Sequence, residues 1–137
     1  MERTIFELIY SIPGNGILVF LAKQMPYLVV LLPFLFFRRR LAVPFFALLA
    51  AGIARFGVVD IIRAFFFRER PFMTEGIVAL FEHAPTASFP SGHAAFFFAL
   101  SMVVFLCHKK AGYLLFSLSL VMGIARVASG VHWPSDI

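Results

Sequence analysis

The sequence is short of charge and nearly without cysteine. Only 14% of its 137 residues are charged, against about 25% in a typical soluble domain. So little polar surface argues against nucleic acid as a partner, even at a net charge of +5. The single cysteine, Cys107, lies in an apolar run, so no disulfide can form within the chain and no redox compartment follows from it. The N-terminus lacks a short apolar core followed by small residues, so no removable signal peptide is expected. There is no internal repeat and no low-complexity linker, and residues 1–137 read as one domain.

What the chain has in quantity is apolar surface. Hydrophobic residues make up 61% of it, with 19 phenylalanines, where about 45–50% is usual. That composition predicts an all-α, polytopic membrane bundle of about four spans. Ile17 to Phe37 is the first, interrupted by Lys23 and kinked by Pro26 and Pro33. Leu41 to Ile62 is the second; its Arg55 and Asp60 belong away from lipid, and the simplest use of Arg55 is an ion pair packing helices together. Ala94 to Cys107 is the third and Gly112 to Val127 a short fourth. Met1 to Pro13 reads as an amphipathic interfacial helix or a frayed end. Pro13-Gly14-Asn15-Gly16 reads as a turn, and the polar stretch 64–89 as a loop with one short helix around Glu75 to Phe81. Lys23 is expected to snorkel to the interface.

Topology follows from two basic clusters free of acidic residues, Arg38-Arg39-Arg40 and His108-Lys109-Lys110. An even number of spans separates them, so both can lie on the cytoplasmic side. The 64–90 loop and the 128–137 tail then share the outer face. Three sequence clusters meet there: Arg63 with Arg70-Pro71, Pro90-Ser91-Gly92-His93, and Arg126 with His132 and Asp136. Arginine offers a planar fork of donors matched to phosphate oxygens. Ser91 and Gly92 bring a hydroxyl and an accessible amide to a helix start, with His93 in its first turn and Pro90 able to open it. His132 is a candidate nucleophile or base, and Asp136, four residues on, can orient its ring. His93 can protonate a leaving oxygen. Each residue also has a plainer use, as juxtamembrane anchor, helix cap or interfacial aromatic neighbour.

The ordered pattern Arg63-x6-Arg70-Pro71, Pro90-Ser91-Gly92-His93, Arg126-x5-His132-x3-Asp136 resembles the three-part signature of the type 2 phosphatidic acid phosphatase (PAP2) superfamily. Arg68-Glu69-Arg70-Pro71-Phe72 and the stretch from His83 through Ala87-Ser88-Phe89 to His93 look most like small bacterial undecaprenyl-diphosphate phosphatases; Lys23 to Leu28 is a weaker match. The resemblance implies a phosphatase acting through a phosphohistidine on His132, with Asp136 orienting it and His93 as general acid. Arg63, Arg70, Arg126, Ser91 and Gly92 would hold phosphate oxygens. No metal or other cofactor is implied. The implied partners are the bilayer and a polyprenyl diphosphate, cleaved at the outer face of a bacterial inner membrane. Phosphatidic acid or phosphatidylglycerophosphate is the alternative substrate, and an inactive truncated protein with a lipid-binding or structural role the alternative of another kind.

Three departures stand out. Arg63 occupies a position that is usually lysine, and Ala125 one that is usually serine. The family continues past the aspartate into another helix, whereas this sequence stops at Ile137. The expectation is therefore a truncated chain lacking the last helix, with Asp136 on a frayed end.

Overall fold

A computed structural model describes residues 1–14, 16–74 and 76–137. The fold is all-α, in the order α1 (Glu2–Tyr10), α2 (Gly16–Lys23), α3 (Met25–Phe36), α4 (Ala42–Gly52), a π-helical turn (Ile53–Val58), α5 (Val59–Phe65), α6 (Gly92–Cys107) and α7 (Lys109–Ala128). Short 3₁₀ turns occupy Pro71–Met73 and Pro134–Asp136.

Ala42–Phe65 runs through the π turn as one 24-residue apolar helix. Phe45, Phe46, Ile53, Phe56 and Ile61 point outward from it, which makes sense only where lipid is the solvent. Lys109–Ala128 is also long and apolar enough to cross a membrane, and α2 with α3 makes a third span if the pair counts as one, bent by 51°. The third expected span, Ala94 to Cys107, is shorter than a crossing needs. The 16-residue α6 is about 24 Å long against a hydrocarbon core of about 30 Å. It ends because His108 turns extended and caps the next helix, its Nδ1 accepting from the Ala111 N–H at 3.1 Å. The break between α2 and α3 has a covalent cause. Pro26 has no N–H to give to the carbonyl four residues back, that of Ala22.

The bundle packs through small residues, as membrane helices do where apolar contact with a neighbour gains little over contact with lipid. Gly112 lets α7 lie directly on the backbone of Phe105 in α6. Deeper in, Ser101 and Ser119 meet across the same pair at 3.2 Å, each also bonded back to its own helix. Ala47 and Ala51 of α4 are fully buried in the cluster with Leu100, Val104 and Leu115.

Arg38, Arg39, Arg40 and His108 line one cavity at the same end of the bundle, so the two basic clusters share a side as expected. Because α4–α5 runs away from that end, and α6 runs toward it before α7 returns, Arg63, His93 and Arg126 lie at the other. The Arg55–Asp60 pair, 2.9 Å apart, lies within a single helix; the expected role in joining helices is not what it does. The π turn brings residues five apart onto one side, where an α-helix would offset them.

At the N-terminus, α1 neither frays nor lies apart from the fold. Phe6 is buried against Trp133 with ring centroids 4.9 Å apart, and Glu2 pairs with Arg68 at 2.8 Å. No helix forms over residues 77–81; Glu75, and Asn15 of the expected turn, lie outside the described residues. Gly76 adopts φ +82°, and the backbone beyond it is bonded elsewhere. The Tyr10 hydroxyl bridges the N–H and carbonyl of Val78, and the Leu80 N–H donates to the Ser129 carbonyl at 3.1 Å.

Candidate active site

The end of α7 places His132. After Ser129, Gly130 takes φ +74°, a left-handed conformation that glycine adopts without strain, and the chain doubles back. Pro134 then opens a 3₁₀ turn, where its fixed φ and missing N–H are harmless. That turn carries Asp136 beneath the His132 ring.

Asp136 is not on a frayed end, contrary to expectation. Its carboxylate is wholly buried and held on both oxygens. Oδ1 accepts from Arg68 Nη1 at 2.9 Å. Oδ2 accepts from the Trp133 N–H at 2.7 Å, from the Ser88 hydroxyl, and from His132 Nδ1 at 3.3 Å. Its backbone carbonyl accepts from the Ser91 N–H at 2.8 Å. The following residue, Ile137, packs against Gly123 of α7. The turn is fixed by these bonds, so nothing has to follow it for the carboxylate to be held.

These contacts define the proton positions on His132. Nε2 faces Arg70 Nη1 at 3.2 Å, and a guanidinium can only donate. Nε2 is therefore an acceptor and the proton sits on Nδ1, directed at Asp136. Burial, ahead of any charge effect, pushes the ring down to about 4, with Arg126 and Arg70 lowering it further and the Asp136 contact opposing. His132 is thus neutral near pH 7 with a lone pair on Nε2. Burial tends to raise the Asp136 carboxyl, but its hydrogen bonds from His132, Ser88 and the Trp133 amide outweigh this and hold it below its ordinary value.

The three arginines differ in how far they are committed. Arg70, buried, has its five N–H donors matched by five acceptors: the Thr86 carbonyl and hydroxyl, the Ala87 and Val131 carbonyls, and His132 Nε2. Burial and the neighbouring Arg63 lower it to about 10, still charged at neutral pH. Arg126 donates to the Ala22 carbonyl at 3.2 Å and faces His83 Nε2 at 3.1 Å. The Ala22 carbonyl is the one Pro26 leaves without its helical N–H. Arg63 donates to the Pro90 carbonyl at 2.8 Å. Among the described residues, the buried Nε groups of Arg63 and Arg126 have no hydrogen-bond partner, so each keeps a donor not spent within the fold.

Ser91, not Pro90, caps α6, its hydroxyl accepting from the Ala94 N–H. The Gly92 and His93 amides are in the first turn, where helical partners are lacking. His93 and Tyr27 line two adjoining cavities. The first, about 190 Å³, also includes Lys23, Glu82, His83 and Arg126. The second, about 330 Å³ and mostly apolar, includes Arg55, Phe56, Gly92 and Phe96.

The fold thus brings Arg63, Arg70, Ser91, Gly92, His93, Arg126, His132 and Asp136 to one end of the bundle. It also supplies groups the sequence reading passed over. His83 lies 6.3 Å from the His132 ring, centroid to centroid; burial and the nearby arginines lower it to about 4. Its Nδ1 meets the Ala84 carbonyl, so this ring too is neutral with the proton on Nδ1. Lys23 sits over Phe81 at 5.4 Å and lines the cavity that holds His83, His93 and Arg126. Arg68 and Ser88 both bond Asp136, and the Ser88 N–H to Arg68 carbonyl bond of 2.8 Å ties their two loops together. The family-like stretches contained Arg68, His83 and Ser88, but nothing in their spacing told which atoms they would meet.

A profile of the PAP2 superfamily matches residues 40–137, and the chain belongs to that superfamily. It is 44% identical over 69 residues to the bacitracin transport permease protein BcrC of Bacillus licheniformis, a match covering 50% of this chain and 34% of that protein. Over 86 residues it is 34% identical to the undecaprenyl-diphosphatase BcrC of Bacillus subtilis strain 168, covering 63% of this chain and 45% of the relative. The matched region is less than half the length of either relative. In structure it is similar to Aquifex aeolicus LpxE, with TM-score 0.74 and 29% identity over 98% of this chain and 84% of that one.

Proposed function

We propose that the chain is a membrane lipid phosphatase that removes the terminal phosphate of a polyprenyl diphosphate. The observation that carries this reading is the fixed tautomer of His132: proton toward Asp136, lone pair toward Arg70 and the site. Nε2 attacks the terminal phosphorus, and the bond from phosphorus to the bridging oxygen breaks. His93, as the imidazolium that the negative charge of the bound diphosphate favours, gives that oxygen its proton, so a polyprenyl monophosphate leaves. Asp136 stabilises the imidazolium formed when Nε2 bonds phosphorus. Water then attacks the phosphorus, His93 takes up the water's proton, the bond from phosphorus to Nε2 breaks, and orthophosphate departs with His132 neutral again. The phosphoryl oxygens replace the Nε2 contact at Arg70 and meet the guanidinium groups of Arg63 and Arg126, whose Nε donors have no partner among the described residues. The Ser91 hydroxyl and Gly92 amide complete the cradle.

The positive-inside rule supports an outward-facing site, since the basic clusters lie at the opposite end. The polyprenyl substrate is supported by the similarity to the undecaprenyl-diphosphatase BcrC of Bacillus subtilis. Phosphate release from C55 diphosphate, phosphatidic acid and phosphatidylglycerophosphate, by the chain and by His132→Ala, tests the proposal. Preferred turnover of the C55 substrate, abolished in the variant, is expected. Equal rates in chain and variant would rule out His132 as nucleophile. Preference for a glycerophospholipid would reassign the substrate, and turnover of none of the three would leave a non-catalytic role.

A further inference from the structure

Resting on the diphosphate reading above, we infer that Arg55 binds the phosphate that stays on the lipid, and so sets this site's preference for diphosphates over monophosphates. In an in-line displacement the nucleophile and the leaving oxygen stand on opposite sides of phosphorus. With His132 on one side and His93 protonating the bridging oxygen, whatever is attached to that oxygen lies beyond His93. The second cavity lies there, sharing His93 and Tyr27 with the first. Arg55 is the only guanidinium among the described residues that line it.

A charged residue in the middle of a 24-residue apolar span is costly and calls for a reason. The pair with Asp60 supplies only part of one. Asp60 engages Nη1 alone, and the carboxylate is the more exposed partner, at 55% against 30% for Arg55. No other hydrogen bond holds the guanidinium among the described residues. Its position is set by Gly92: a Cβ at residue 92 would collide with Arg55 Nε and lie 2.6 Å from Cδ. The guanidinium therefore lies on the backbone at the start of α6, next to His93. A phosphate seated on Arg55 would meet the fork and the amide end of that helix together. The walls beyond, Val30, Phe56, Phe96 and Phe97, are apolar and suit the first isoprene unit.

The test compares farnesyl diphosphate with farnesyl monophosphate, which share a tail and differ by the phosphate in question. Phosphate release is measured for the full chain in detergent micelles and for Arg55→Met and Arg55→Lys. The readout is the ratio of kcat/KM for diphosphate to that for monophosphate, because misfolding lowers both rates together. In Arg55→Met the ratio should fall about 10- to 100-fold, the loss expected for charge-assisted hydrogen bonds to one phosphate. Arg55→Lys keeps the charge without the fork and should lose about 3- to 10-fold; it carries the test if Arg55→Met gives no folded protein. An unchanged ratio in chains that cleave the diphosphate overturns the role of Arg55 alone. A wild-type chain that cleaves only the monophosphate overturns the diphosphate reading, and the inference with it.

Discussion

Asp136→Asn separates what the carboxylate does for the reaction from what it does for the fold. An asparagine offers one oxygen where the carboxylate offers two. If the amide oxygen takes the Oδ2 position, it still receives the Ser88, Trp133 and His132 donors. The NH₂ group then faces Arg68 Nη1 across 2.9 Å, donor against donor. Arg68 can fall back on Glu2 and Ser135, so the lost stability should be near the low end for a broken charged hydrogen bond, about 2 kcal/mol. The catalytic loss is larger. A phosphorylated His132 carries positive charge 3.3 Å from the carboxylate, an attraction of roughly 5 kcal/mol at an effective dielectric constant of about 20. Forfeiting about 3–5 kcal/mol slows turnover by about 10²- to 10⁴-fold. Phosphate release from prenyl diphosphate and thermal unfolding in micelles read the two effects separately. Turnover within threefold of wild type, with Tm lowered, would make Asp136 a structural staple and refute the charge argument. Lost turnover with an unchanged Tm would refute the network.

Acid should weaken the fold. His132 and His83 sit at about 4 in the native chain against an ordinary 6.5. The unfolded chain therefore takes up protons first, and stability is full above pH 6.5 and declines as pH falls toward 4. For the buried His132 that amounts to at most about 3 kcal/mol, and the partly exposed His83 adds less. A Tm that is equal at pH 7 and pH 5 would contradict this. Gly112→Val places a side chain on the Phe105 backbone and forces α6 and α7 apart; about 1–3 kcal/mol should be lost, visible as a lower Tm, and an unchanged Tm would mean the helices have room to spare.

Some of this protein was decided by sequence alone, because the causes are local. Long apolar runs between basic clusters require helices that satisfy their own backbone in lipid. The spacing of Arg63, Arg70, His93, Arg126, His132 and Asp136 puts each at a helix end or in the loop beside one. The parity of the spans and the two basic clusters then bring those ends to one side. Four other features were settled only by packing. Arg70 spends its donors on Thr86, Ala87, Val131 and His132, residues 16 to 62 positions away. Arg126 leans on a carbonyl freed by a proline a hundred residues earlier. His83 and Arg68 look like ordinary loop polarity until the fold sets them against Arg126 and Asp136. The firmness of the final turn could not be read either, because it rests on contacts of Asp136 with Arg68, Ser88, Ser91 and Trp133 and of Ile137 with Gly123. Periodicity and spacing specify where a side chain starts; which atoms it meets depends on surfaces from distant segments, and those come together only in the folded bundle.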